Sequence, residues 1–243
     1  MRLDVALFER GLVRSRNEAK ALILDGSVNV NGANVKKPSY DVNDECDIKI
    51  ECEAHRYVSR GALKLESAIK HFDFVIKDKL AIDVGASTGG FTECLLMNGA
   101  KKVIAVDSGK DQLAAVLKDD ERVTSIEGYN ARYMKREDLP FVPELAVMDV
   151  SFISATYIIE SVYNCLSDEA DFICLIKPQF EVGKSNVGKG GIVKSEKVRL
   201  MAVEKVTEYA KSIGFSLAGC VQSDVQGSDG NIEYLAHFKK SKK

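Results

Sequence analysis

Apolar residues change their spacing partway along the chain. Over the first fifty residues the pattern is short and mixed. Leu3, Leu7 and Phe8 fall on one side of a short helix. Ser15-Arg-Asn-Glu18 reads as a capping box, in which a serine hydroxyl accepts a free backbone N–H and the glutamate reaches back. A second helix is predicted over 16–25, with Ala19, Leu22 and Ile23 facing in and Gly26 ending it. Val28–Val30 alternates as a strand, Asn31-Gly32 is a hairpin turn, and 47–51 is a closing strand. These pieces make a small α+β unit.

Further on, Ala62, Leu65, Ile69 and Phe72 recur at helical spacing. That spacing alone makes Lys64, beside the stripe, a surface lysine. From Leu80 onward strands and helices alternate. Strands are predicted over 80–85, 102–107, 123–128, 145–150 and 171–178, and helices over 90–98, 113–117, 153–166 and 196–212. Two β-rich runs, 215–222 and 231–239, flank a turn at Gly227 and Gly230. Alternating β and α predicts an α/β, doubly wound, Rossmann-like domain: a mostly parallel sheet covered on both faces, with an antiparallel edge hairpin. The expected division is a front domain over 1–54, a linker over 55–62 and a large domain over 63–243. His55, Arg56 and Arg60 make the linker polar and basic.

The chain has 243 residues, 45% hydrophobic and 29% charged, with a net charge of −2. No global basic field marks it as a nucleic-acid binder, so any such contact must be local. Residues 1–37 hold seven basic against four acidic residues, whereas 38–55 hold one against six. Arg14, Arg16 and Lys20 cluster near the start of the second helix, where cations and free N–H groups can receive phosphates; a solvated polar face is the alternative. Cysteines 46, 52, 94, 165, 174 and 220 show no C-x-x-C or zinc spacing. They read as reduced thiols in a reducing compartment. The start, MRLDVALFERG, is no secretory signal, and no run reaches the roughly 18 apolar residues a membrane helix needs. A cytoplasmic protein without membrane association is expected.

Chemistry is expected at the carboxyl ends of the strands. The first of these opens into AIDVGASTGGFT, residues 81–92. A Walker loop needs a Gly-Lys-Ser/Thr after four residues and a glycine. The only Gly-Lys-Ser, 183–185, has Pro178 where that glycine belongs. A dinucleotide loop needs G-x-G-x-x-G, and Gly85-Ala-Ser-Thr-Gly89-Gly90 has the wrong register. S-adenosylmethionine has no pyrophosphate to hold and suits a carboxylate, Asp83, before the first glycine. Asp107 is placed for ribose hydroxyls, and Asp149 ends a third strand on the same edge. Each aspartate singly is also a normal turn or capping residue. The loop EVGKSNVGKGGI, 181–192, reads either as a phosphate-contacting cover or as a plain connection.

The front segment, RLDVALFERGLVRSRNEAKALILDGSVNVNGANVKKP, resembles the S-four-type RNA-binding domain. The resemblance implies that Arg14, Ser15, Arg16, Lys20, Asn31 and Lys36 line a surface for structured RNA, with Arg60 beyond them.

Seven segments in order, YVSRGALKL, DVGASTGGFTECLL, AVDSG, EGYNAR, MDVSFIS, LIKPQFEVG and GNIEYL, resemble the haemolysin-A-like (TlyA) family. These are FtsJ-type RNA 2′-O-methyltransferases with an S-four-type domain in front. The resemblance implies S-adenosylmethionine as cofactor and ribosomal RNA or ribosomal subunits as partner, with methyl transfer to a cytidine ribose. It implies cofactor contacts from Asp83, Gly85, Ser87, Thr88, Gly89, Gly90, Phe91, Asp107, Asn130 and Asp149. It also places a Lys-Asp-Lys-Glu set on Lys64, Asp149, Lys177 and Glu233, with no metal. Lys177 would contact the ribose hydroxyl as base or orienting group. A second cation, Lys64, would disfavour its protonation, and the two carboxylates would oppose that. The family often has tryptophan where this chain has Tyr57, so communication between the domains is expected to differ in detail. Three rival readings remain open: an RNA-binding protein with an inactive methyltransferase fold, a membrane-active haemolysin, and a base methyltransferase.

Overall fold

The computed structural model of the chain describes all residues except 14–15, 51–56, 228 and 243, and the side chains of 17, 18, 21 and 25. The Ser15–Glu18 capping box, the Arg14 and Ser15 contacts, and His55 and Arg56 lie outside the described residues.

The chain divides into two compact units, Met1–Arg56 and Tyr57–Lys243. In the first, α1 (Leu3–Glu9) and α2 (Arg16–Asp25) precede β1 (Val28–Val30), β2 (Ala33–Asn34) and β3 (Ile48–Ile50). The strands pair antiparallel in the order β2-β1-β3. Leu3, Leu7, Ala19, Ile23, Val28 and Val30 form its core. Phe8, expected on the inner face of α1, is 45% exposed. One turn of helix per 3.6 residues carries it past the buried stripe. Gly26 ends α2 at φ +83, and Asn31 and Gly32 both take positive φ in the tight turn between β1 and β2.

The second unit opens on Tyr57, which is buried, so the expected linker 55–62 spans the division. Its elements are α3 (Gly61–His71), β4 (Leu80–Val84), α4 (Gly90–Met97), β5 (Lys102–Asp107), α5 (Ala115–Lys118), β6 (Val123–Glu127), β7 (Leu145–Met148), α6 (Ile159–Cys165), β8 (Ala170–Ile176), α7 (Pro178–Glu181), α8 (Glu196–Ile213), β9 (Ser216–Gln222) and β10 (Tyr234–Lys240). Seven strands form one sheet in the order β6-β5-β4-β7-β8-β10-β9. The first five are parallel, and β10 runs antiparallel to both β8 and β9. Of the final hairpin only β9 is therefore an edge strand, opposite β6 at the other side of the sheet; its partner β10 is inserted beside β8.

Side chains alternate between two cores, as the period of a strand requires. Ile82, Val84, Ile104 and Phe238 face α6 and α8, while Ala81, Val103, Leu145 and Leu235 face α3 and α4. The sequence boundaries shift at functional points. The 153–166 helix is split, with a short 3₁₀ turn at Ala155–Tyr157 before α6. Pro178 does not end β8 but sits at the first position of α7, where its fixed φ and missing N–H cost nothing. Lys177 and Asp149 thus stand just past their strands. Glu233 precedes β10 rather than lying in it.

Candidate active site

The carboxyl edge of the parallel strands is built around the loop after β4. Gly85 has φ +85, and a Cβ there would lie 2.5 Å from the Asp149 backbone oxygen. Gly89 has φ +99, and a Cβ would lie 2.2 Å from Leu117 Cδ1. A Cβ on Gly90 would lie 2.9 Å from the backbone nitrogen of Ala62. The glycines serve close backbone approach, which is what brings the β4, β7 and α3 ends together. Ser87 and Thr88 are exposed at the tip.

Asp107, at the end of β5, accepts from the backbone N–H of Ser87 at 2.8 Å and of Gly109 at 2.7 Å. The carboxylate is held at the rim of the glycine loop. Asp83 is different: it is completely buried beneath the loop, accepting from Thr92 Oγ1 at 2.7 Å. Its Oδ1 has no hydrogen-bond partner among the described residues. Burial pushes the Asp83 carboxyl up to about 7, against the Thr92 hydrogen bond and with help from the nearby Asp149 charge.

Two other expected contacts have local duties. Phe91 is 3% exposed and packs in the apolar core, so its side chain is a packing residue. Asn130 uses its Oδ1 to cap the turn at Ala131–Tyr133, accepting from the Arg132 N–H at 3.0 Å.

Lys64, Asp149, Lys177 and Glu233 come together. Lys177 Nζ lies 2.5 Å from Asp149 Oδ1 and donates to Ser151 Oγ at 2.7 Å. Lys64 Nζ lies 2.7 Å from Glu233 Oε2 and 3.9 Å from Asp149 Oδ2. Asp149 therefore touches both lysines. Lys64 is 9% exposed, so the surface reading of its helical position fails: its ammonium is taken up by the Glu233 and Asp149 carboxylates. Glu233 is 2% exposed and lies against Gly227, where a Cβ would be 2.7 Å from its Oε1. Gly227 thus clears space for a carboxylate as well as turning the chain.

Further residues frame the site without having been singled out. Phe152 follows Ser151 with φ +65, a conformation costly for a bulky side chain, yet its ring is 91% exposed. The ring lies 5.2 Å from that of Phe180 in α7. Asn231, almost fully buried, accepts from Val193 N–H and donates to Gly191 O, tying the end of the 181–192 loop to the β9–β10 connection.

In the front unit, Arg16, Lys20 and Lys36 are exposed. Asn31 is exposed too, and its Oδ1 accepts the Asp47 N–H at 2.9 Å. Fully buried Asp4 pairs with Arg2 at 2.9 Å and reaches Arg16 at 3.7 Å, holding both cations at one helix end. In the large unit, Arg60 is exposed at the start of α3.

Residues 57–240 match the FtsJ-like methyltransferase family, and residues 1–48 match the S4 domain. The chain belongs to the FtsJ-like methyltransferase family. It is 41% identical to the 16S/23S rRNA (cytidine-2′-O)-methyltransferase TlyA of Mycobacterium tuberculosis, over 96% of this chain and 88% of that one. It is also 41% identical to Hemolysin A of Brachyspira hyodysenteriae, over 98% of this chain and 99% of that protein. A solved hemolysin-named structure from Streptococcus thermophilus superposes with a TM-score of 0.80 at 43% identity, covering 99% of this chain and 88% of that one. The inserted strand β10, between β8 and β9, bears directly on this site. That strand brings Glu233 beside Lys64, which a hairpin lying wholly outside the sheet would leave apart.

S-adenosylmethionine fits the edge on structural grounds. The glycines keep its floor free of side chains, Asp107 presents an oriented carboxylate, and Asp83 keeps an unpaired buried oxygen under the loop. No helix is long and apolar enough to cross a membrane among the described residues.

Proposed function

We propose that the protein transfers a methyl group from S-adenosylmethionine to a ribose 2′-hydroxyl, of cytidine, in ribosomal RNA. The observation that carries this reading is the joining of Lys64, Asp149, Lys177 and Glu233 into one ion-pair network beside the glycine loop. The cofactor supplies a methyl already activated by the sulfonium charge. What remains for the protein is to place the attacking oxygen and manage its proton. Lys177, on the rim between Asp149 and Ser151, is the group that meets the hydroxyl. Lys64 and Glu233 fix the far side of Asp149 and keep the network rigid. Asp107 holds the ribose of the cofactor.

Phe152 supports an RNA substrate. A strained, solvent-facing ring three residues after Asp149 gives a flat surface on which an unstacked base can rest. Arg16, Lys20 and Lys36 of the front unit supply contacts to the RNA backbone. Arg14 and Ser15 belong to the same reading. Intact ribosomal subunits, assembled in the cytoplasm, are the proposed form of the substrate.

The test is methyl transfer from labelled S-adenosylmethionine to unmodified ribosomal subunits, followed by nuclease digestion. Nuclease-resistant dinucleotides carrying the label are expected. Label on a base, or no transfer by protein that binds the cofactor, would overturn the proposal.

A further inference from the structure

Glu181, outside the lysine–carboxylate network, is a buried carboxylate with a full set of polar partners. Its side chain is 2% exposed. It accepts from Ser154 Oγ at 2.5 Å, from the Ala155 N–H at 2.6 Å and from Lys205 Nζ at 3.1 Å. Lys205, from α8, also donates to the Glu181 backbone oxygen at 2.9 Å. A buried carboxylate without such partners would be costly; with them it is a rigid link.

The link joins two loops that carry the site. Ser154 and Ala155 end the segment after β7, which contains Asp149, Ser151 and strained Phe152. Glu181 ends α7, which begins just after Lys177. The short contacts from Lys177 to Asp149 and Ser151 bridge the same two loops at their other end. A strained Phe152 backbone persists only if its surroundings over-determine it, and the Ala155 and Ser154 hydrogen bonds are the nearest restraint downstream.

We propose that Glu181 is a positioning residue for methyl transfer: it locks the β7 and β8 loops together, and so sets the approach of Lys177 to Asp149 and to the hydroxyl. This rests on the methyltransferase reading above. It predicts loss in the chemical step with binding preserved, because Glu181 does not reach the cofactor loop.

The experiment compares wild type, Glu181→Gln and Ser154→Ala by single-turnover methylation of unmodified ribosomal subunits across pH 6–9, with S-adenosylmethionine affinity by calorimetry. Gln keeps the shape but loses the charge that Lys205 and two donors require. We expect the methylation rate of Glu181→Gln to fall at least about tenfold and the midpoint of its pH profile to move, with cofactor and subunit affinities within about twofold. Ser154→Ala removes one hydrogen bond and follows in the same direction more weakly. An unchanged rate in folded Glu181→Gln overturns the role. So does a loss that lowers the whole pH profile without moving it, which marks mere instability. If Glu181→Gln does not fold, Ser154→Ala decides by the same two criteria. If wild type transfers no methyl, the proposed activity falls and the positioning role falls with it; an active wild type with indifferent variants sinks only the latter.

Discussion

Lys64 and Glu233, from opposite ends of the large unit, meet at 2.7 Å in a nearly closed interior. Neither is placed by its neighbours in sequence. Lys64 lies beside an apolar helical stripe, and Glu233 precedes a strand that joins the sheet only because β10 inserts next to β8. Two charges are buried at this cost because each is the other's partner.

Lys177→Ala should leave the fold and cofactor binding intact and lower methyl transfer by a factor on the order of 10²–10⁴, the usual range for loss of a positioned proton acceptor. Single-turnover rates with calorimetric S-adenosylmethionine binding check this. A folded variant with the wild-type rate would remove Lys177 from the site.

Phe152→Gly separates stability from function. Glycine relieves the positive φ, and an exposed ring contributes little core, so thermal stability should hold or rise by about 1 kcal/mol. Methylation of subunits should nevertheless drop about tenfold. Thermal melts and methylation rates measured together test the pair, and a Gly variant with full activity contradicts the base-platform reading.

Gly85→Ala forces a Cβ to 2.5 Å from the Asp149 carbonyl oxygen at φ +85. We expect destabilisation on the order of 2–3 kcal/mol in urea unfolding and a large loss of cofactor affinity. Substitution without effect on either measurement would mean the loop is not packed as described.

Asp83 links pH to cofactor binding. Its carboxyl, pushed up to about 7 by burial, is protonated in much of the free protein below neutrality. A positively charged ligand nearby favours the carboxylate, so binding should release a proton and tighten as pH rises to about 7, then level off. The sign for stability is opposite. The folded state holds more protons than the unfolded chain between roughly pH 4, the ordinary aspartate value, and 7, so this group's contribution declines as pH climbs through that window. Calorimetry at pH 6 in two buffers of different ionisation enthalpy detects the released proton; Asp83→Asn should abolish it.

Asp4→Ala tests the front unit. The Arg2 guanidinium, with Arg16 beyond it, holds the Asp4 carboxyl below its usual range, so its stabilisation is present near neutrality and lost as pH falls below about 4. Releasing Arg16 should weaken ribosomal-RNA binding by about tenfold, or about 1.4 kcal/mol. Filter binding to ribosomal RNA measures it, and unchanged affinity would show that Arg16 needs no such anchor.

Local physics made part of this protein legible in its sequence. The 3.6- and 2-residue periods gave the helices and strands, because burial repeats with the geometry of each element. The glycine register excluded pyrophosphate loops, and the order of motifs carried the Lys-Asp-Lys-Glu set by resemblance. Tertiary structure decided what depends on partners distant along the chain. It buried Lys64, took Phe91 into the core, committed the Asn31 Oδ1 to the backbone N–H of Asp47, and brought Glu181 to Ser154 and Lys205. Periodicity assigns a residue to a face. Which charge waits on the opposing face is fixed only when the sheet order, with β10 between β8 and β9, closes the packing.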